Sequence, residues 1–306
     1  MATDAASDVL TRDFPGFFKI YKDGRVERYW NTDFTPAGLD SETGVQSKDV
    51  VICPEAGVKA RIFLPKIEGV KKLPLLVHYH GGGFCIGSPF ATPFKVFLSH
   101  IVTQANVIAI SVDYRLAPEH LLPAAYNDSW AALQWVAKHA GRQGPEPWIN
   151  EHADLQRVVL AGESAGANLA HYVAVQAGAN ELSSLKIANI LVIHPYFGTK
   201  DPDRFYQYMC PTSSGADDDP KLNPGADPNL KKMKCDGILV CVAEKDKLKS
   251  RGVSYYETMS RSSNGSYKVD FYETKGEDHC FHFFNPKSEN IGPLMKKIVD
   301  FVNQDE

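Results

Sequence analysis

The stretch Arg157-Val158-Val159-Leu160-Ala161-Gly162-Glu163-Ser164-Ala165-Gly166 changes character at its middle. Arg157 to Ala161 is apolar and β-branched and reads as a short buried strand, whereas Ala165 to Gly178 is alanine-rich and reads as a helix. Ser164 therefore sits where strand becomes helix, the context that makes a G-x-S-x-G pattern a candidate nucleophile turn. Such a turn strains the serine backbone and brings two backbones close together, and Gly162, Ala165 and Gly166 are small enough to permit it. The hydroxyl then emerges at the carboxyl end of the strand, facing the first amides of the helix. A glycine-rich turn without chemistry is the competing reading of these five residues alone.

Outward from the turn, short apolar runs alternate with helical stretches. Leu75 to His80, Val107 to Val112, Ile190 to His194, Gly237 to Ala243 and Val269 to Glu273 read as further central strands. Pro93 to Gln104, Ala124 to His139, Ser250 to Arg261 and Ser288 to Val302 read as helices between and after them. Val50 to Ile52 and Val58 to Phe63 read as two edge strands joined by the turn Pro54-Glu55-Ala56-Gly57. The pattern predicts one doubly wound α/β domain over 1–306, with two antiparallel strands at its start. Residues 1–49 and 196–232 break the alternation and fall where an α/β enzyme places a cap.

Composition narrows the function classes. The chain has 306 residues, 43% hydrophobic, and a net charge of -4, so it can bury a large core and presents no basic excess for nucleic acid. Its start, Met1-Ala2-Thr3-Asp4-Ala5-Ala6-Ser7-Asp8, lacks the basic and apolar runs of a signal peptide, and no run approaches membrane-spanning length. A soluble cytoplasmic protein with neither a membrane nor a nucleic-acid partner is expected. Cys53, Cys85, Cys210, Cys235, Cys241 and Cys280 are irregularly spaced, which predicts reduced thiols rather than disulfides or a zinc site. The sequons at Asn127 and Asn264 are then idle.

His80-Gly81-Gly82-Gly83-Phe84 follows the strand ending at Tyr79. Successive glycines let main-chain N–H groups approach a developing negative oxygen, so Gly82 and Gly83 are candidate donors together with Ala165 after the serine. A serine also needs a base and an orienting acid, and in this arrangement the acid precedes the histidine along the chain. Glu244 and Asp246 follow one strand, and His279 and His282 follow the next. Position alone leaves both choices open, with the losers as a surface ion-pair partner and a packed histidine. His78 and His80 share a strand face, but nothing joins them at metal-ligand spacing.

Taken together, six segments resemble the plant carboxylesterases of the hormone-sensitive-lipase group. They are Lys19 to Arg28, His80 to Phe84, Asp113-Tyr114-Arg115-Leu116-Ala117-Pro118-Glu119-His120, Gly162 to Asn168, Val242 to Asp246 and Gly276 to His282. The resemblance covers nearly the whole chain and implies an α/β-hydrolase fold of about eight strands. It implies a triad of Ser164, Asp246 and His279, with Gly82, Gly83 and Ala165 as oxyanion hole and no metal or organic cofactor. Phe84, Cys85, Tyr196, Phe197 and Cys280 are expected to touch a small-molecule ester, and Asp113 with Arg115 to brace the glycine loop. The sequence departs from the family at Glu163, where many relatives carry Asp, and at Gly198 to Met209, a stretch that looks shorter than the usual cap segment. The same group includes 2-hydroxyisoflavanone dehydratases, alkaloid cyclases and gibberellin receptors, which makes elimination, cyclisation or hormone binding the alternatives to hydrolysis. The receptors lack the triad histidine, which is present here as His279.

Overall fold

A computed structural model describes residues 9–30 and 33–304 of the chain. The chain begins with a three-stranded antiparallel sheet of β1 (Leu10–Phe14), β2 (Phe18–Tyr21) and β3 (Val26–Arg28). The main sheet starts with β4 (Gln46–Cys53) and β5 (Val58–Leu64), the hairpin expected from the Pro54 to Gly57 turn. There follow β6 (Leu73–Tyr79), α1 (Thr92–Ala105), β7 (Ile108–Asp113), α2 (Ala124–Ala137), α3 (Pro147–His152) and β8 (Ala153–Glu163). The second half adds α4 (Ala165–Ala179), β9 (Ile187–Ile193), α5 (Arg204–Met209), β10 (Gly237–Ala243) and α6 (Lys249–Ser262). It closes with β11 (Lys268–Thr274), α7 (Phe281–Phe284) and α8 (Ile291–Val302).

The eight strands of the main sheet lie in the order β11-β10-β9-β8-β6-β7-β5-β4. Only β5 runs against its neighbours, pairing antiparallel with both β4 and β7. The expectation that Val58 to Phe63 forms an edge strand is therefore corrected. β4 takes one edge, and β11 takes the other against the expectation that Val269 to Glu273 is central, while β5 is paired on both sides and its residues are buried almost without alternation.

Side chains of one strand divide between the two faces. Leu75, Val77 and Tyr79 of β6 pack into the cluster shared with α2, α4 and α6, while Leu76 packs into the one shared with α1 and α8. Helices thus cover both faces, and every turn that follows a parallel strand opens at one end of the sheet. Among the described residues, no helix is long and apolar enough to cross a membrane.

Two irregular regions carry structure that periodicity did not announce. Residues 9–30 form the small sheet, whose Phe14, Phe17 and Phe18 meet Phe205 and Tyr208. The stretch 196–232 keeps a short helix, α5, capped by Asp203, whose Oδ1 accepts from the amides of Phe205 and Tyr206. Residues 1–8, 31 and 32 of the expected cap region lie outside the described residues.

Candidate active site

Ser164 stands between β8 and α4 with φ 54° and ψ -119°, a strained backbone that a folded protein keeps only when its surroundings over-determine it. They do so here. Its N–H donates to Ile193 O at 2.9 Å, and its carbonyl accepts from Ala167 and Tyr196. Its hydroxyl makes no capping bond to the helix, so the one polar group left for chemistry is not spent on structure. The turn closes tightly enough that a Cβ on Gly166 would lie 1.8 Å from Tyr79 O, which explains glycine there.

The glycine loop leaves the end of β6 beside this turn. Gly82 has φ 109°, and a Cβ on it would come within 2.1 Å of Ile86 O, so no other residue fits. Gly81, Gly82, Gly83, Ser164, Asp246 and His279 all line one cavity of about 840 Å³. Ala165, the first residue of α4, is fully buried directly behind Ser164, and its amide is one of the helix's free N-terminal donors.

Asp246 and His279 come from the ends of β10 and β11. His279 Nδ1 and Asp246 Oδ2 are 2.7 Å apart, and Asp246 Oδ1 accepts the Leu248 N–H at 2.7 Å. Both carboxylate oxygens are thus held. Burial works against a charged His279, but the Asp246 carboxylate bonded to Nδ1 outweighs it, and the pKa stands above the usual 6.5. Burial also raises the Cys280 thiol, which stays neutral at ordinary pH, so Asp246 is the anion facing the ring. Of the two pairs left open, it is Asp246 and His279 that bond to each other. Glu244 accepts the Gly276 N–H at 2.8 Å and ion-pairs with Lys275 at 3.5 Å, joining the two loops that carry Asp246 and His279. His282 is buried with a pKa lowered to about 3 by desolvation, and it packs against Phe97 and Phe283.

His194, His279 and Cys280 bring donor atoms within 4.8 Å of one another, a spacing that could suit a metal ion. Their chemistry does not. His194 Nδ1 accepts the Cys280 N–H at 2.9 Å, which leaves the ring proton on Nε2 and no lone pair free there.

Glu163 is more than a conservative variant of the turn. It is 1% exposed, its Oε1 accepts the Gly81 N–H at 2.8 Å, and its Oε2 bonds His78 Nε2 at 2.8 Å. His78 Nδ1 in turn reaches Ser111 Oγ at 2.8 Å. The residue before the serine thereby fastens the glycine loop to the sheet. Glu163→Ala strands a buried amide and a buried imidazole and is expected to cost about 2–4 kcal/mol in chemical denaturation. Glu163→Gln keeps an acceptor and a donor in place and should recover most of that loss. An alanine variant as stable as the parent would contradict the brace.

Other expectations are corrected. Arg115 turns away from the glycine loop to make a bidentate pair with Asp128, and Asp113 reaches only Ser88, at 3.1 Å. The charged brace is Arg28, which donates to Cys85 O at 2.7 Å and to Ala117 O while pairing with Glu119. Tyr114 adds a bond from its hydroxyl to His80 O at 2.6 Å and stacks on the His80 ring. Of the five expected contact residues, Tyr196 and Cys280 line the cavity. Phe84, Cys85 and Phe197 do not. Phe84 is packed among Tyr126, Tyr196 and Tyr206, Cys85 is sealed beneath the loop, and Phe197 stacks flat on Tyr255. The walls come instead from Phe17, Trp30, Phe94, Phe205, Leu248 and Phe283, which are far apart in sequence and converge only in the tertiary fold.

The strained serine turn, the glycine loop and the acid–histidine pair all lie at the carboxyl ends of parallel strands, and residues 76–283 match the family described by the alpha/beta hydrolase fold. The chain belongs to the α/β hydrolases. Over 304 residues it is 42% identical to probable carboxylesterase 2 of Arabidopsis thaliana, covering 94% of each chain. It is 39% identical over 320 residues to a 2-hydroxyisoflavanone dehydratase of Glycyrrhiza echinata, covering 97% of each. Among solved structures, this hydrolase resembles an esterase of Pyrobaculum calidifontis with TM-score 0.70 and 25% identity over 85% of each chain.

Proposed function

We propose that this α/β hydrolase is a serine carboxylesterase acting on small-molecule esters. The observation that carries the reading is the set of groups around one cavity: Ser164 at a strained turn, His279 bonded to Asp246 at 2.7 Å, and Gly82 and Gly83. His279 Nε2 takes the Ser164 proton as Oγ attacks the ester carbonyl. The amides of Gly82, Gly83 and Ala165 hold the negative oxygen, and the imidazolium, steadied by Asp246, returns its proton to the departing alcohol. Water then repeats these steps on the acyl-enzyme and frees the acid. No step calls on a metal or organic cofactor. In this reading β1 to β3 and α5 serve as the cap. The proposed setting is the cytoplasm, which the six unpaired cysteines suit.

One relative is named as a dehydratase, which makes elimination the second reading. Ser164→Thr separates the two. An added methyl and a χ1-restricted side chain hinder attack on an ester, whereas proton abstraction by His279 does not pass through Oγ. Ester kcat is expected to fall at least about tenfold, equal to about 1.4 kcal/mol of barrier. A parent protein that hydrolyses no ester in a broad panel, yet dehydrates a 2-hydroxyisoflavanone equally well with Ser or Thr at 164, would replace hydrolysis by elimination.

A further inference from the structure

The cavity holding Ser164 and His279 has aromatic walls of two origins. Phe17, in the turn after β1, and Phe205 of α5 meet with ring centroids 4.4 Å apart. Both lie against the glycine loop, since a Cβ on Gly83 would come within 2.9 Å of each ring. The second cluster centres on Trp30, 5.7 Å from Phe94 and 5.8 Å from Phe284, with Phe283 4.8 Å from Phe94. Phe283 and Phe284 belong to α7, which follows His279 and Cys280 directly. One aromatic wall thus flanks the oxyanion loop, and the other is built partly on α7, the segment that directly follows the base, and lines the same cavity as His279.

The chemistry assigns the flanks. During acyl transfer the carbonyl oxygen faces the glycine amides, and the leaving oxygen must lie beside the imidazole that protonates it. The wall on the His279 side therefore meets the alcohol. Phe284 is 62% exposed although it borders the cavity, and Trp30 stands at a steep angle to both Phe94 and Phe284. Uncovered aromatic surface of this kind marks a binding face, and edge-to-face neighbours favour a further planar ring over a saturated one of equal area. The volume of about 840 Å³ admits a substrate of two or more rings.

We propose that the physiological substrate is an ester of an alcohol bearing a planar aromatic system, held by Trp30, Phe283 and Phe284. This rests on the esterase reading. The test compares kcat/KM for 2-naphthylmethyl acetate, its decahydro analogue and ethyl acetate, whose leaving alcohols are all unactivated. The naphthyl ester should exceed the decahydro ester by about 2- to 10-fold and ethyl acetate by at least about tenfold. Trp30→Leu, and separately the surface replacement Phe284→Leu, should each shrink the naphthyl-to-decahydro ratio. Equal constants for the two ring systems, or a ratio unmoved by both variants, overturns the aromatic assignment while leaving the esterase intact. Failure of the protein to turn over any ester or to react with a phosphonate overturns both.

Discussion

Ser164→Ala is expected to lower ester kcat by at least about 10⁴-fold, because without Oγ no acyl-enzyme forms and only binding and oxyanion stabilisation remain. The fold should not notice. The hydroxyl caps nothing, the bonds to the Ile193 carbonyl and from the Tyr196 N–H use main-chain atoms, and alanine accepts the same φ of 54° at similar cost. A thermal midpoint within about 2 °C of the parent, measured together with the lost turnover, separates chemistry from unfolding. Retention of most of the activity would remove Ser164 from the nucleophile role.

Asp246→Asn has the second largest expected effect. Asparagine is nearly isosteric and can still meet the Leu248 amide, but it can present an N–H to His279 Nδ1 and so leave the ring proton on Nε2, where it blocks acceptance from serine. A loss of about 10³- to 10⁴-fold in kcat follows. The pH profile carries an independent sign. His279 acts as a base only when neutral, so the parent's rate rises with pH, with its midpoint above 6.5 because the folded-state pKa is raised. Removing the carboxylate leaves burial, which opposes the charged ring, so residual activity in the variant should rise at a lower pH than in the parent. An unchanged midpoint would show that Asp246 does not face the working imidazole.

What could be read in the sequence follows from what is local. β6, β7, β9 and β10 are short buried runs, and each is found where it was expected because apolar runs between turn residues allow few other fates, whereas the half-exposed β11 falls at an edge. The serine turn was legible because its five residues are contiguous, although what makes Gly166 obligatory, the carbonyl of Tyr79, lies on the neighbouring strand β6. The role of Glu163 was not legible, since its two partners, His78 and Gly81, belong to β6 and to the loop that leaves it. The same holds for Arg28, which grips Cys85 O across the N-terminal sheet, while the neighbouring Arg115 is claimed by Asp128 in α2. Phe84 and Phe197 adjoin motif residues in sequence, yet they turn into the core, because adjacent positions face opposite ways in extended backbone and tight turns. The cavity walls assemble from β1 to β3, α1, α5 and α7, and no local pattern announces such a meeting.

Ser164 should become covalently bonded to the substrate's acyl group, and intact-protein mass spectrometry after reaction with a fluorophosphonate reads that bond out. One phosphonyl group per chain is expected, located to the peptide bearing Ser164, absent in Ser164→Ala and formed far more slowly in Asp246→Asn. A protein that hydrolyses esters yet takes no adduct at Ser164, or is labelled equally well as Ser164→Ala, would show that Ser164 is not the nucleophile.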